Sequence, residues 1–155
     1  MPQFDQAIEI LLIEDNADDE ELTLRSLRDN RLANHIHVVR DCEEALEFLS
    51  CSGRYEGLDM AKGTPKVILL DLKLPKVSGI DVLRHIKNNQ HLRRVPVVVM
   101  TSSREERDLV ETYDLGVNSY IVKPVTFEQF NESVRQVGMY WLLLNQPPGL
   151  IRDNT

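Results

Sequence analysis

Six side chains at four points of the chain have the chemistry to handle a phosphoryl group: the acidic pair Glu14 and Asp15, Asp71, the hydroxyls Thr101 and Ser102, and the amine of Lys123, which precedes Pro124. Three carboxylates brought together without a cation would repel, and at least one pKa would rise. A divalent cation removes that conflict. Hard, water-accessible oxygen ligands suit Mg²⁺, which takes one or two carboxylates plus phosphate oxygen and keeps several waters. Zinc is disfavoured, because none of the four histidines or two cysteines flanks these positions. Lys123 would add a fixed positive charge and Thr101 a hydroxyl donor, and with the metal they could hold phosphoryl oxygens. A carboxylate can itself be the nucleophile and form an acyl phosphate. Asp71 is the candidate, since it lies at the strand between the acidic pair and the hydroxyl and lysine.

These residues are useful only if one scaffold delivers them to one place. Each follows a short apolar run: Ile8–Ile13, Val67–Leu70, Val97–Met100 and Ser119–Val122. Short, apolar and rich in β-branched residues, these predict strands of a parallel sheet covered on both faces. His35–Val39 alternates polar and apolar residues like an edge strand. Between them lie helical patterns over residues 17–29 (capped by Asn16), 43–49, 79–89, 104–115 and 127–144. The last two open with the capping boxes Ser103-x-x-Glu106 and Thr126-x-x-Gln129. Residues 52–66, with three glycines and Pro65, read as a surface loop of no evident chemistry. Five β-α repeats predict an α/β fold: a five-stranded parallel sheet with right-handed crossovers and helices on both faces. The ligand site of such a fold lies beyond the carboxyl ends of the strands, where the six side chains fall.

The chain has 155 residues, 18 basic and 25 acidic, with a net charge of −7. That length is one domain. The acidity argues against nucleic-acid binding and against docking on an anionic membrane. No segment approaches the roughly 20 apolar residues of a membrane span. The start, Met1-Pro2-Gln3-Phe4-Asp5, lacks the features of a secretory signal, so a cytoplasmic location is expected. Cys42 and Cys51 fall on opposite faces of a predicted helix, about 13 Å apart, and are expected as free thiols.

With these motifs in place, the sequence resembles the receiver domains of two-component response regulators. The resemblance runs from about Ile8 to Gly138 and rests on Ile13-Glu14-Asp15-Asn16, on Leu69-Leu70-Asp71-Leu72-Lys73-Leu74-Pro75 with Gly79, on Met100-Thr101-Ser102 and on Tyr120-Ile121-Val122-Lys123-Pro124. It implies a flavodoxin-like strand order of 2-1-3-4-5. It also implies that Asp71 is the phosphoacceptor, Asp15 a direct Mg²⁺ ligand and Glu14 a ligand mainly through water, with the backbone carbonyl of Lys73 completing the protein's share. Thr101 would be the switch hydroxyl, Lys123 the phosphate-pairing amine and Tyr120 the aromatic that moves inward with Thr101. The Lys123–Pro124 bond is expected to be cis. The motifs Thr101-Ser102-Ser103, Asp114 to Tyr120 and Tyr140-Trp141-Leu142 are similar to those of the small cyanobacterial response regulators that partner phytochrome-type sensor kinases.

The implied function is a single-domain regulator that takes a phosphoryl group from a sensor histidine kinase and signals by protein contact, since no residues remain for an output domain. Two alternatives stand beside it. One is a Mg²⁺-dependent phosphohydrolase with an aspartyl phosphate; hydrolases resembling the haloacid dehalogenase family need a second Asp where Lys73 stands, and this chain has no cap domain. The other is a receiver-like module that never takes phosphate, against which the complete acidic set speaks.

The domain is expected over residues 8–144, with an N-terminal extension over 1–7 and a loose tail over 145–155. From Val137 to Leu144 no residue is charged. A surface helix should not be apolar all round, so Val137, Tyr140, Trp141, Leu142 and Leu144 are expected to form a homodimer interface, with docking of the terminus on the chain's own core as the alternative. The run from Asp18 to Glu21 reads as a favourably charged first helical turn, with kinase docking as a second role. His35 and His37 read as surface imidazoles.

Overall fold

The computed structural model describes residues 10–29, 36–58, 64–72, 79–111 and 114–136. Five strands, β1 (Ile10–Ile13), β2 (Ile36–Val39), β3 (Val67–Asp71), β4 (Val97–Thr101) and β5 (Ser119–Val122), form one parallel sheet in the order β2-β1-β3-β4-β5. The helices are α1 (Ala17–Asp29), α2 (Cys42–Ser50), α3 (Gly79–Asn88), α4 (Arg104–Glu111) and α5 (Phe127–Gln136), with a 3₁₀ turn at Gly53–Tyr55. The β-α repeats predict the parallel sheet, and its order is the flavodoxin-like one that the family resemblance implies.

The near-continuous apolar strands follow from burial on both faces. Leu11, Ile13, Ile68, Leu70, Val97 and Val99 face a core shared with Phe48 of α2 and Val82, Leu83 and Ile86 of α3. The alternate residues, Ile10, Leu12, Val67, Leu69, Val98 and Met100, face Leu27 of α1 and Phe130 of α5. Full burial of each large side chain contributes about 1.5–3 kcal/mol, which fixes the register: slipping one residue would exchange the two faces throughout.

The helix starts obey the sequence signals. Asn16 Oδ1 accepts the Asp19 N–H at 2.9 Å. Thr126 and Gln129 close a reciprocal capping box, each side chain accepting the other's backbone N–H at 3.2 Å. In α4 the Glu106 N–H reaches Ser103 Oγ at 3.3 Å, while Glu106 Oε1 accepts from the Ser102 N–H at 2.7 Å, one residue earlier than a standard box.

Four expectations change. Helix α4, described over Arg104–Glu111, does not reach 115: Asp114 and Gly116 adopt left-handed backbone, φ 49° and 70°, which no helix can continue through. Asp71 and Thr101 are the last residues of their strands rather than the first after them. The ladder carries on past them, with the Leu72 N–H on Met100 O at 3.2 Å and the Lys123 N–H on Thr101 O at 2.9 Å. The segment read as a bare loop folds Tyr55 and Leu58 into the core. His37 is no surface imidazole. It stacks on Phe48 with ring centroids 5.1 Å apart, and its Nε2 lies 2.8 Å from Tyr55 Oη, which donates to Glu44 Oε2 at 2.7 Å. Cys42 and Cys51 are free thiols. His35, and the expected extension of the last helix over residues 137–144, lie outside the described residues.

Candidate functional site

The parallel register sets the site. Ile13 pairs with Leu70, Asp71 with Met100, and Thr101 with Val122. The first residues beyond β1 and β5 and the last of β3 and β4 therefore emerge along one rim, at the carboxyl ends of adjacent strands.

There Glu14, Asp15 and Asp71 each offer a carboxylate oxygen, and these oxygens lie within 4.8 Å of one another. Glu14 and Asp71 are buried and Asp15 is exposed, so the cluster opens to water on one side. The Lys123 ammonium donates to Asp71 Oδ2 at 2.9 Å, to Glu14 Oε2 at 3.0 Å and to Asp19 Oδ2 at 3.0 Å. Glu14 Oε2 also accepts the Asn16 N–H at 3.3 Å. Lys123 Nζ also stands 2.9 Å from Glu14 Oε1 as an ion pair, but that buried oxygen has no hydrogen-bond partner among the described residues.

The electrostatics show the strain of this packing. Burial, reinforced by the neighbouring Asp71, pushes the Glu14 carboxyl up to about 8 against the pull of Lys123. Asp15 is raised by burial and by Asp71. For Lys123, burial works against the charge, yet its hydrogen bonds to Asp71, Glu14 and Asp19 outweigh it and hold the ammonium protonated. A hard divalent cation fits these residues. The donors are all oxygen, one buried lone-pair set is unused, and a cation would offset both the desolvation and the Asp71 repulsion that raise Glu14 and Asp15.

Thr101 is fully buried, and its Oγ1 has no partner among the described residues, so its hydroxyl caps no helix; Ser103 does. Tyr120 is half-buried beneath α4, where the Arg107 guanidinium lies 4.7 Å from its ring centroid. The Lys123–Pro124 peptide is cis. Lys73, Val137, Tyr140, Trp141, Leu142 and Leu144 lie outside the described residues.

Sequence reasoning missed Asp19. It placed this residue with a charged helical turn, whereas the fold brings it onto Lys123, 104 positions away. The signal was faint: Asp19 lies in the first turn of α1, three residues past the Asn16 cap, and so stays beside the end of β1 that carries Glu14 and Asp15. Gly79 has a structural reason. A Cβ there would fall 2.6 Å from Leu72 O and 2.9 Å from Asp71 O, so only glycine lets α3 begin against the backbone that carries Asp71.

A doubly wound sheet with three carboxylates and a lysine at its switch-point rim is an α/β domain with an acidic cluster where folds of this class place their ligand sites. The response regulator receiver domain profile matches residues 10–135, and the chain belongs to that family, the receivers of two-component signalling. The bacteriophytochrome response regulator AtBRR is similar in structure, with a TM-score of 0.80 and 51% identity over 88% of this chain and 96% of that one. Among curated proteins, the probable methanogenesis regulatory protein FilR2 of Methanothrix harundinacea is 40% identical over 140 residues, 90% of this chain and 87% of FilR2. The response regulator Rcp1 of Synechocystis is 38% identical over 133 residues, 86% of this chain and 88% of Rcp1. A solved structure of Rcp1 in its Mn²⁺-bound form aligns with a TM-score of 0.68 and 37% identity, over 87% of this chain and 94% of that one. The chain is thus related to the phytochrome-associated single-domain response regulators.

Proposed function

We propose that Asp71 accepts a phosphoryl group from the phosphohistidine of a sensor histidine kinase of the phytochrome type, and that the chain then signals by protein contact. The observation that carries this is the pairing of a buried strand-end carboxylate, Asp71, with Lys123 at 2.9 Å inside the acidic cluster. An Asp71 oxygen attacks phosphorus in line. A P–O bond forms, the P–N bond to the imidazole breaks, and its electron pair stays on the ring nitrogen, which takes a proton. Lys123 holds a phosphoryl oxygen as charge develops, and the unpartnered Thr101 hydroxyl is a donor free to turn toward it. Asp15, Asp71 and the Lys73 carbonyl would hold Mg²⁺ directly, with Glu14 acting through water. When bound, the metal neutralises charge on the phosphoryl oxygens. Tyr120 follows Thr101 inward and biases the face formed by α4, β5 and α5.

Incubation with Mg²⁺ and acetyl phosphate, followed by intact mass measurement, tests this. The expected result is one acid-stable, base-labile phosphate, absent in Asp71→Asn. Rapid multiple turnover of phosphate esters would mark a hydrolase instead, and no labelling by donor or kinase a silent module. Phosphotransfer from a phytochrome kinase under red and far-red light tests the partner. A homodimer through residues 137–144 completes the reading; sedimentation should show the ratio of particle mass to chain mass fall from about two to about one when the protein is cut after Arg135, and a monomeric intact chain at tens of micromolar refutes it.

A further inference from the structure

Lys123 has no hydrogen-bonding capacity to spare. An ammonium carries three N–H donors, and all three are taken, by Asp71 at 2.9 Å and by Glu14 and Asp19 at 3.0 Å each. A phosphoryl group arriving on Asp71 gains a hydrogen bond from Lys123 only by displacing a carboxylate already there. Which one gives way depends on which can be rehydrated. The Glu14 side chain is 0% exposed, that of Asp71 4% and that of Asp19 32%. A buried carboxylate that loses its ammonium keeps the full cost of desolvation, whereas one with access to water exchanges one hydrogen bond for another. Asp71 becomes an acyl phosphate and hands its own Lys123 donor to the phosphoryl group; of the two carboxyl groups that remain on the ammonium, Asp19 is the contact that can be surrendered for a second.

The plain account of Asp19 is an acidic residue in the first turn of a helix, where the dipole favours it. Asp18, beside it and exposed, serves that purpose equally. What sets Asp19 apart is its contact with β5's lysine across the rim, fixed by the Asn16 cap that receives its own N–H at 2.9 Å. It also adds a fourth carboxylate to a cluster of three around a single ammonium. That charge attracts a cation and repels a phosphoryl dianion.

We propose that Asp19 is a positioning residue that competes with the phosphoryl group for Lys123, and so restrains phosphorylation while favouring the bound cation. This rests on Asp71 being the phosphoacceptor. Asp19 touches no reacting atom; it acts through the ammonium. Removing its charge frees one Lys123 donor for the phosphoryl oxygens and leaves the lysine drawn more strongly to the remaining carboxylates, in competition with the metal. The two effects have opposite signs, which no loosening of α1 would produce.

The test uses the full chain with two probes, Mg²⁺ alone and beryllofluoride, a non-hydrolysable phosphoryl mimic, at saturating Mg²⁺. Affinities are read by titration calorimetry and labelling rates with acetyl phosphate by intact mass. Asp19→Asn should tighten beryllofluoride about tenfold, the lower end of what a hydrogen bond to a charged group contributes. It should speed labelling to a similar extent and weaken Mg²⁺ binding several-fold. Asp18→Asn, which removes the same charge one residue away, should change each by less than about twofold, as an exposed and screened charge does. An Asp19→Asn protein whose beryllofluoride affinity is unchanged overturns the proposal. One in which both affinities fall together overturns it too, and assigns Asp19 to holding α1. A wild-type chain that neither binds beryllofluoride nor is labelled overturns the phosphoacceptor reading itself, before any variant is compared.

Discussion

Gly79→Ala is the sharpest structural test of how the site is built. The glycine's φ is negative, so alanine has no backbone penalty there; the whole cost is collision. Its Cβ would sit 2.6 Å from Leu72 O, 2.9 Å from Asp71 O and 2.9 Å from Leu72 Cα, all main-chain atoms that cannot rotate away. Reaching ordinary contact requires α3 and β3 to part by about 0.8 Å. That separation stretches the Gly79 N–H bond to Leu72 O, already 3.2 Å. Overpacking of this kind costs about 1–3 kcal/mol, while the intrinsic helix preference for alanine returns less than about 1 kcal/mol at a first helical residue. The expected net loss is about 1–2 kcal/mol, a fall in Tm of roughly 3–8 °C for a chain of this size. Because the displaced backbone carries Asp71, Mg²⁺ affinity should fall several-fold as well. Urea unfolding and Mg²⁺ titration read both. Gly57→Ala is the control. Gly57 has φ 98° and nothing within 4 Å of the added Cβ, so it should lose about 1–2 kcal/mol to backbone strain alone and leave Mg²⁺ affinity untouched. A Gly79→Ala protein as stable as the wild type, with unaltered Mg²⁺ affinity, would refute the close approach of α3 to β3.

Burial lowers the His37 pKa below 6.5, with Glu44 opposing and Arg40 assisting. The unfolded chain then binds more protons, so His37's contribution is complete above pH 6.5 and is lost as pH falls toward the folded pKa; urea unfolding from pH 7.5 to 5.5 should show this slope, and His37→Gln should flatten it. Tyr55→Phe removes the hydroxyl that joins His37 to Glu44 and should cost about 1–2 kcal/mol, read as a shift in urea midpoint at constant slope. Glu14, at about 8 against an ordinary 4.5, gives the metal-free protein a contribution that is full below pH 4.5 and lost as pH rises through 8. Mg²⁺ should therefore raise Tm most at alkaline pH and release a proton near pH 7, detected as a buffer-dependent calorimetric enthalpy; equal enthalpies in phosphate-free buffers of different ionisation heat would refute it. Arg107→Ala removes the cation over Tyr120 and should cost about 0.5–1 kcal/mol, with a shift in the Tyr120 ring resonances that Arg107→Lys largely preserves.

Much of this molecule follows from local sequence. Four apolar runs, each ending in a polar residue, dictate buried parallel strands, because only a sheet covered on both faces hides such runs completely. Parallel strands send all their carboxyl ends to one rim, so Glu14, Asp15, Asp71, Thr101 and Lys123 had to meet. The caps at Asn16, Ser103 and Thr126 are equally local, since a side chain three residues from an N–H reaches it in any helix. Tertiary structure decided the rest. Asp19 is one more acid in an acidic turn until packing of α1 against the sheet carries it to Lys123. His37 alternates like a surface residue until Phe48 and Tyr55, from separate elements, close over it. Gly79 carries no left-handed signal, and its necessity comes only from the backbone of β3 beside it. Such contacts depend on distances between elements remote in sequence, and pattern along the chain does not contain them.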